Sequence, residues 1–572
     1  MKVEPRSRAE VYFSTTFFWH RMIDSIKPDF LDGAFSLCKG TYLMLMGAVL
    51  LSCSPPEIQE RKDLFCYNAS DGVRSLDPGK ATDLETIWVV DQLYEGLLEM
   101  DAALQTRPAL AEAWSVSGDG LTYAFRLRKS AHFHNGQRVT AADVAASFNR
   151  LLDPTEALPG RWVLADLKPM GGVEVLSEDS LHLHLSRPQP VFPGLLSTPQ
   201  ASVLWTGGRN GQPDTEDMGS GPFLLKGWLP ETTMVLHRFP GYWMRDEEGN
   251  VLPYLPGLRI EFNREPGAEF MGFQRGKYDF VSALDPEWVE AMKNEAGGWR
   301  SEWEGQFNVY RVPYLKTDYV GVLVDSMALG AAGFPATSAE IRRAMSMALD
   351  REALVRELRA GEAKPAVGFV PPSMPGFQFQ HRPVRPDLHW SPDSARRILA
   401  AHGIGPEAPL QRLKGLTLGT KPGMADLAAA LQYAWSSFGI DIEIDIAPSA
   451  IDADRVAQSQ VPLFRKSWLA DYPDAENFLS LFHPGRWCPN GPNYTHYQNS
   501  EVTEKLEQAA RMVPGEERQR VLREIEQRVL DSMPVIPLWH DEVVHLVSSR
   551  WDGWQVSPTN RLDLRQVRRV GP

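Results

Sequence analysis

Ile440, Ile442, Ile444 and Ile446 alternate strictly with Asp441, Glu443 and Asp445. This period of two puts every apolar side chain on one face of an extended chain and does not suit a helix. The same period recurs at Leu121, Tyr123, Phe125 and Leu127, and at Leu181, Leu183 and Leu185. Between these strand signals the period changes. Thr140 and Asp143 open a predicted helix, the threonine oxygen set to cap free amides and the carboxylate suited to the positive first turn. Val144, Phe148, Leu151 and Leu152 share one face of it, and Asp153 with Pro154 ends it. Ile341, Ala344, Met345, Ala348 and Leu349 step at helical spacing, and Asp350, Arg351 and Glu352 start a second helical segment. Leu522, Ile525 and Val529 stripe a late helix. Strands and helices interleaved along 572 residues predict a mixed α/β protein. At about 100–200 residues per domain, roughly three domains are expected.

A hydrophobic fraction of 43% and a charged fraction of 23% exclude intrinsic disorder, a collagenous rod and a polytopic membrane protein. The net charge of −14 repels a phosphate backbone, so no nucleic-acid partner is expected. The 17 tryptophans suit either a cleft lined with aromatic rings or large cores.

Lys39 precedes a short apolar run from Tyr42 to Leu51 that ends at Ser52 and Cys53. The run is shorter than the ~20 residues that span a bilayer and has the dimensions of a signal-peptide core. Leu50-Leu51-Ser52-Cys53 resembles a bacterial lipobox, which implies lipidation of Cys53, loss of residues 1–52 as a leader, and a tether over residues 53–62. A buried strand or core helix with an incidental cysteine is the alternative reading. Residues 1–38 make a long leader, which a downstream start such as Met22 would shorten. Export to the cell envelope with a lipid anchor is the expectation. Of the four cysteines, Cys38, Cys53, Cys66 and Cys488, no two form a CxxC pair. Cys66 and Cys488 are expected as two free, buried thiols.

No G-x-S-x-G elbow, H-E-x-x-H, P-loop or G-x-G-x-x-G motif occurs. His132 with His134, and His182 with His184, each place two imidazoles on one strand face, a spacing that can serve a metal. Without a third ligand of obvious placement they read as solvent-facing strand positions, and no metal or cofactor is expected. Asp471 and Asp474 suggest a recognition carboxylate rather than a glycosidase pair. Locally, Asp471 as the cap of a turn before Pro473 is equally open.

Taken in order, a set of short motifs resembles the peptide- and nickel-type solute-binding proteins that feed ABC importers. The set begins with Ser75–Pro78, Tyr94–Leu97, Pro108–Trp114, Asp119–Arg128, Phe133–Gly136 and Val139–Val144 with Ser147, Phe148 and Arg150. It continues with Gly219–Phe223, Tyr242 and Trp243, Gly276 with Asp279, Arg342–Ala344, Ala348–Arg351, Pro371 and Pro372, Ser394–Arg396 and Trp468–Asp471. The resemblance spans roughly residues 63–550. It implies an α/β, two-lobed periplasmic-binding-protein fold with a hinge and an additional third domain. Domain I would comprise residues 63–100, 215–317 and 540–572, domain II residues 101–214, and domain III residues 318–539. It also makes the segment of His132 and His134 an ordinary strand before Asn135 and Gly136.

By this resemblance the protein is a monomeric, non-enzymatic lipoprotein that binds short peptides between its lobes and delivers them to a membrane permease. Asp471 would capture the peptide's α-ammonium, and Trp468, Leu469 and Ala470, with Thr82, Asp83 and Leu84, would flank the ligand and pair with its backbone. The sequence departs from the family pattern at Asp474-Ala475, where an acidic residue followed by proline is usual, and Phe482–Cys488 is individual to this chain. A nickel-chelate, opine or oligosaccharide receptor on the same scaffold is the alternative, and an envelope hydrolase a more distant one.

Overall fold

Two long antiparallel strands, Phe307–Val322 and Val535–Ser548, organise the chain. In the computed structural model, which describes residues 63–207, 218–282, 288, 291–294, 299–301, 303–325, 338–359, 362–378, 380 and 385–571, they pair from Phe307 opposite Ser548 to Gly321 opposite Val535. Their register shifts between Pro313 and Thr317 and again between Asp318 and Tyr319. Such irregularities bend a strand pair and re-aim its side chains.

The rest of the large sheet is built outward from this pair. Beside Phe307–Val322 lie Leu463–Leu469, then Leu413–Thr420, then Ile440–Ile446 at the edge. Beyond Val535–Ser548 come Phe280–Ser282, Phe65–Asn68, Gly257–Glu261, Thr233–Arg238 and Phe223–Leu229. A separate four-stranded antiparallel sheet runs Ala111–Val116, Thr122–Leu127, Ser180–His184, Val173–Ser177.

Three large apolar cores support these sheets. Phe65, Tyr67, Trp88, Phe280, Trp551 and Trp554 belong to the first. Phe125, Phe133, Phe148, Leu181, Leu183 and Phe192 belong to the second, under the four-stranded sheet. Tyr319, Phe369, Trp435, Leu463, Phe478 and Ile525 belong to the third. Trp88, Trp435, Trp539, Trp551 and Trp554 are all buried, so many tryptophans serve cores and not a cleft.

The predicted elements form with some changes of role. The helix after Thr140 is Ala141–Leu152, and Asp153 caps its end. The Asp143 carboxylate accepts from the Thr140 backbone N–H at 2.9 Å and also from its hydroxyl at 2.6 Å. The threonine oxygen is thus a donor to Asp143 before it is a helix cap. Ile440–Ile446 is a strand as expected, with Ile440 and Ile442 buried, but Ile446 is 48% exposed because the strand lies at the sheet edge. The expected strand through His132 and His134 is only an isolated bridge between His132 and Arg138. The turn at Asn135 and Gly136, with Gly136 at φ 81°, cuts it short. Among the described residues, no helix is long and apolar enough to cross a membrane.

Several motifs met in the sequence join across long chain distances. Arg150 holds Asp77 in a two-pronged contact at 3.1 and 2.6 Å. Glu95 accepts from the Tyr242 hydroxyl at 2.8 Å and the Trp243 indole at 3.0 Å. Asp279 accepts from the Cys66 backbone N–H at 2.8 Å and from Arg550 and the Trp551 indole. Gly219 packs so tightly on the end of helix Leu84–Leu93 that a Cβ would lie 1.8 Å from the Leu93 carbonyl oxygen.

Candidate functional site

The strand Leu463–Leu469 carries the predicted ligand segment to the place where the long strands lose register. Trp468 lies opposite Thr317 and Leu469 opposite Lys316. Ala470 then donates its N–H to the Leu315 carbonyl at 2.9 Å, and Leu315 donates to the Pro558 carbonyl at 3.0 Å. After Ala470 the chain leaves the sheet, and Asp471 follows at its end.

Asp471 is exposed, and its carboxylate is oriented from one side. Asn477 donates from Nδ2 to Asp471 Oδ2 at 3.0 Å, while its own Oδ1 accepts from Trp468 Nε1 at 2.7 Å. Asn477 is buried on the short helix Glu476–Leu479. This relay uses all three side chains to fix one carboxylate, and no cation pairs with Asp471 among the described residues. Although water reaches it, surrounding protein removes enough solvation to push the Asp471 carboxyl above its ordinary pKa, while the Asn477 amide pulls it back. The turn-capping role left open in the sequence falls to Asp474 instead, whose Oδ1 accepts from the Glu476 N–H at 2.9 Å.

A buried guanidinium buttresses this turn from below. Arg518, on helix Glu516–Ser532, donates to Asp474 Oδ2 at 2.5 Å, to Glu476 Oε2 at 3.0 Å and to the Ala509 carbonyl at 2.9 Å. Its side chain is 2% exposed. Tyr472, next to Asp471, reaches the second core and lies 3.7 Å from where a Gly194 Cβ would stand.

The other predicted segment has a different local job. Asp83 caps helix Leu84–Leu93, its Oδ1 accepting from the Thr86 N–H at 2.9 Å, and Arg74 lies 3.9 Å from its Oδ2. Leu84 is half-buried against the first core, and Thr82 is exposed. The preceding residue, Ala81, accepts from the Gln200 side chain. The two segments therefore border one stretch, residues 194–200, Tyr472 at Gly194 and Ala81 at Gln200. Among the described residues no direct hydrogen bond joins Thr82–Leu84 to Trp468–Asp471.

Sequence reasoning did not name Asn477 or Arg518 as site residues. Asn477 was visible as an amide six positions beyond Asp471, but its burial was not. Arg518 had no local signal, because it reaches Asp474 from 44 residues away.

Cys66 and Cys488 are both free. Cys488 is buried as expected, but Cys66 is only half-buried, at a strand whose thiol burial pushes up to a pKa of about 11. Cys488 Sγ lies 3.3 Å from His496 Nε2, and His496 Nδ1 lies 3.4 Å from Asp325 Oδ2. This order of groups is that of a thiol hydrolase, but the thiol is only 6% exposed and the Cys488 N–H is directed to the Asn493 carbonyl at 3.4 Å. A buried hydrogen-bond network accounts for it. Cys53 lies outside the described residues.

A model of bacterial extracellular solute-binding proteins, family 5 middle region, matches residues 105–487. The oligopeptide-binding protein of Bacillus subtilis (strain 168) is 26% identical over 501 residues, covering 81% of this chain and 85% of that protein. A periplasmic murein tripeptide-binding protein in its unliganded open form superposes with a TM-score of 0.72 at 23% identity, covering 89% of this chain and 98% of the other. The NikA protein of Brucella suis, in complex with Fe(III)-EDTA, superposes with a TM-score of 0.76 at 18% identity, covering 88% and 99%. The shared fold is the two-lobed periplasmic-binding-protein fold with a hinge and a third domain.

Proposed function

The chain belongs to the bacterial extracellular solute-binding proteins of family 5, and from that premise we propose that it captures short peptides between its lobes and delivers them to the permease of an ABC importer. Asp471 holds the α-ammonium of the peptide. The observation that carries this reading is the Asp471 carboxylate, oriented by Asn477 at 3.0 Å and without a cationic partner among the described residues. A carboxylate whose solvation is already reduced gains more from an incoming ammonium than one in open water. Trp468–Ala470 and Thr82–Leu84, in which Leu469 and Thr82 are exposed, flank the peptide and pair with its backbone, which makes binding tolerant of its side chains. The name of the Bacillus subtilis relative, an oligopeptide-binding protein, supports the same ligand class.

In this reading domain I comprises residues 63–100, 215–317 and 540–572, domain II residues 101–214 and domain III residues 318–539. Closure of the lobes about the Phe307–Val322 and Val535–Ser548 strands buries the ligand, and the permease distinguishes closed from open forms. The protein acts as a monomer tethered by lipid on Cys53 and performs no covalent chemistry. An anionic chelate or opine carboxylate would face the uncompensated charge of Asp471, which favours peptides over those ligands.

Calorimetry with defined di-, tri- and tetrapeptides, each with a free or an acetylated N-terminus, tests the proposal. Free peptides should bind, and Asp471→Asn should weaken them by roughly 30-fold or more, the cost of truncating one partner of a desolvated charge pair. Equal affinity of the variant, or of acetylated peptides for the wild type, contradicts the ammonium site.

A further inference from the structure

We propose that Glu174, His182 and His184 form a binding site for a divalent transition-metal ion on the outer face of the four-stranded sheet. His182 and His184 sit two apart on strand Ser180–His184, so they share a face, and Leu181 and Leu183 point the other way into the second core. Antiparallel pairing sets Glu174 directly opposite His182. Glu174 Oε2 lies 2.9 Å from His184 Nε2 and 3.4 Å from His182 Nδ1. One ligand atom from each of the three residues lies within 4.8 Å of the others.

The two separations to Glu174 suit a shared ion. Zinc bonds of about 2.0–2.2 Å to nitrogen and oxygen set adjacent ligand atoms roughly 2.8–3.5 Å apart, from octahedral to tetrahedral angles. The outer support is also present. Thr122 Oγ1 lies 3.2 Å from His184 Nδ1, where it can accept the Nδ1 proton and leave the Nε2 lone pair facing Glu174. Ala124 stands opposite His182 and keeps that side of the site open. Two imidazoles and one carboxylate select zinc, cobalt, nickel or copper over magnesium or calcium, and three protein ligands leave coordination positions for water or an outside group. Glu174 is 51% exposed at its side chain, and its strand is an edge strand, so the site is open to solvent. It lies on a different sheet from strand Leu463–Leu469, which leads to Asp471.

Equilibrium dialysis of the tag-free chain against zinc chloride, with cobalt absorption as a second readout, tests the assignment. One saturable equivalent per chain is expected, with a tetrahedral or five-coordinate cobalt spectrum. The double variant His182→Ala with His184→Ala should lose it, and Glu174→Gln should weaken it. Thr122→Val should cost about tenfold, as loss of an outer hydrogen bond to a ligating imidazole does. All four positions are at least partly exposed, so thermal melting in a chelator should be unchanged by these variants. No saturable binding by the wild type, or an undiminished equivalent in the double variant, would mean that Glu174 and the two histidines form only an ion-paired surface cluster.

Discussion

Replacement of Arg518 by methionine should loosen the turn that presents Asp471 and destabilise the third core together. The guanidinium is 2% exposed and holds two carboxylates, Asp474 at 22% and Glu476 at 12% side-chain exposure. Methionine fills similar volume without charge, so both carboxylates lose the guanidinium that bonds them, and Glu476 keeps only the smaller influence of Arg486 and Arg187. Breaking a buried pair in this way costs about 3–5 kcal/mol. For a unit of 150–250 residues, at about 2–4 °C per kcal/mol, that corresponds to a melting shift of roughly 10 °C. The penalty also has a pH signature. Burial holds the Glu476 carboxyl above its ordinary pKa, and Arg518 is among the groups that lower it. Without Arg518 the folded-state pKa rises further above the unfolded value. Stability is then fully present below the unfolded pKa and lost as pH rises through the folded one, so the variant is hurt more at pH 8 than at pH 5. Thermal melts at both pH values, followed by tryptophan fluorescence, measure this. Adding Glu476→Gln to Arg518→Met should restore part of the loss, because one unpaired charge is removed. A melting change of only a degree or two, or a double variant no better than the single one, would refute the buttress.

Two other perturbations separate positioning from scaffold. Asn477→Leu leaves Trp468 Nε1 unpaired and the Asp471 carboxylate unguided, and should weaken peptide binding by about 1–3 kcal/mol in calorimetry, with unaltered affinity counting against the relay. Glu95 is buried, and desolvation raises its carboxyl to a pKa of about 7. Its contribution to stability is therefore fully present below the unfolded pKa and lost as pH rises toward and through 7. Glu95→Gln should flatten the melting temperature between pH 5 and pH 8 relative to the wild type, and parallel profiles would contradict that burial.

The fold was legible wherever a single element carries its own period. Leu181 and Leu183, or Ile525 and Val529, needed only local alternation or a helical stripe, and all four are buried. Ile446 was misjudged in degree because alternation marks a face without telling whether a neighbouring strand covers it. The motif set was informative about identity, yet many of its residues turn out to be internal fastenings. Asp77 with Arg150, Glu95 with Tyr242 and Trp243, and Asp279 with Trp551 hold distant segments together. Side-chain relays that depend on register or on long-range approach were illegible. Glu174 meets His182 only through antiparallel pairing. Asp471 could be singled out by its segment, but its lack of a cationic partner among the described residues and its guidance by Asn477 are properties of packing.

If Asp471 holds short peptides by their free N-termini, mass spectrometry of the ligand released from protein purified without refolding will identify them. The expected result is a mixture of short peptides with unblocked N-termini, absent from Asp471→Asn protein prepared in parallel. A metal chelate, an opine or an oligosaccharide in stoichiometric amount, retained equally by Asp471→Asn, would contradict it.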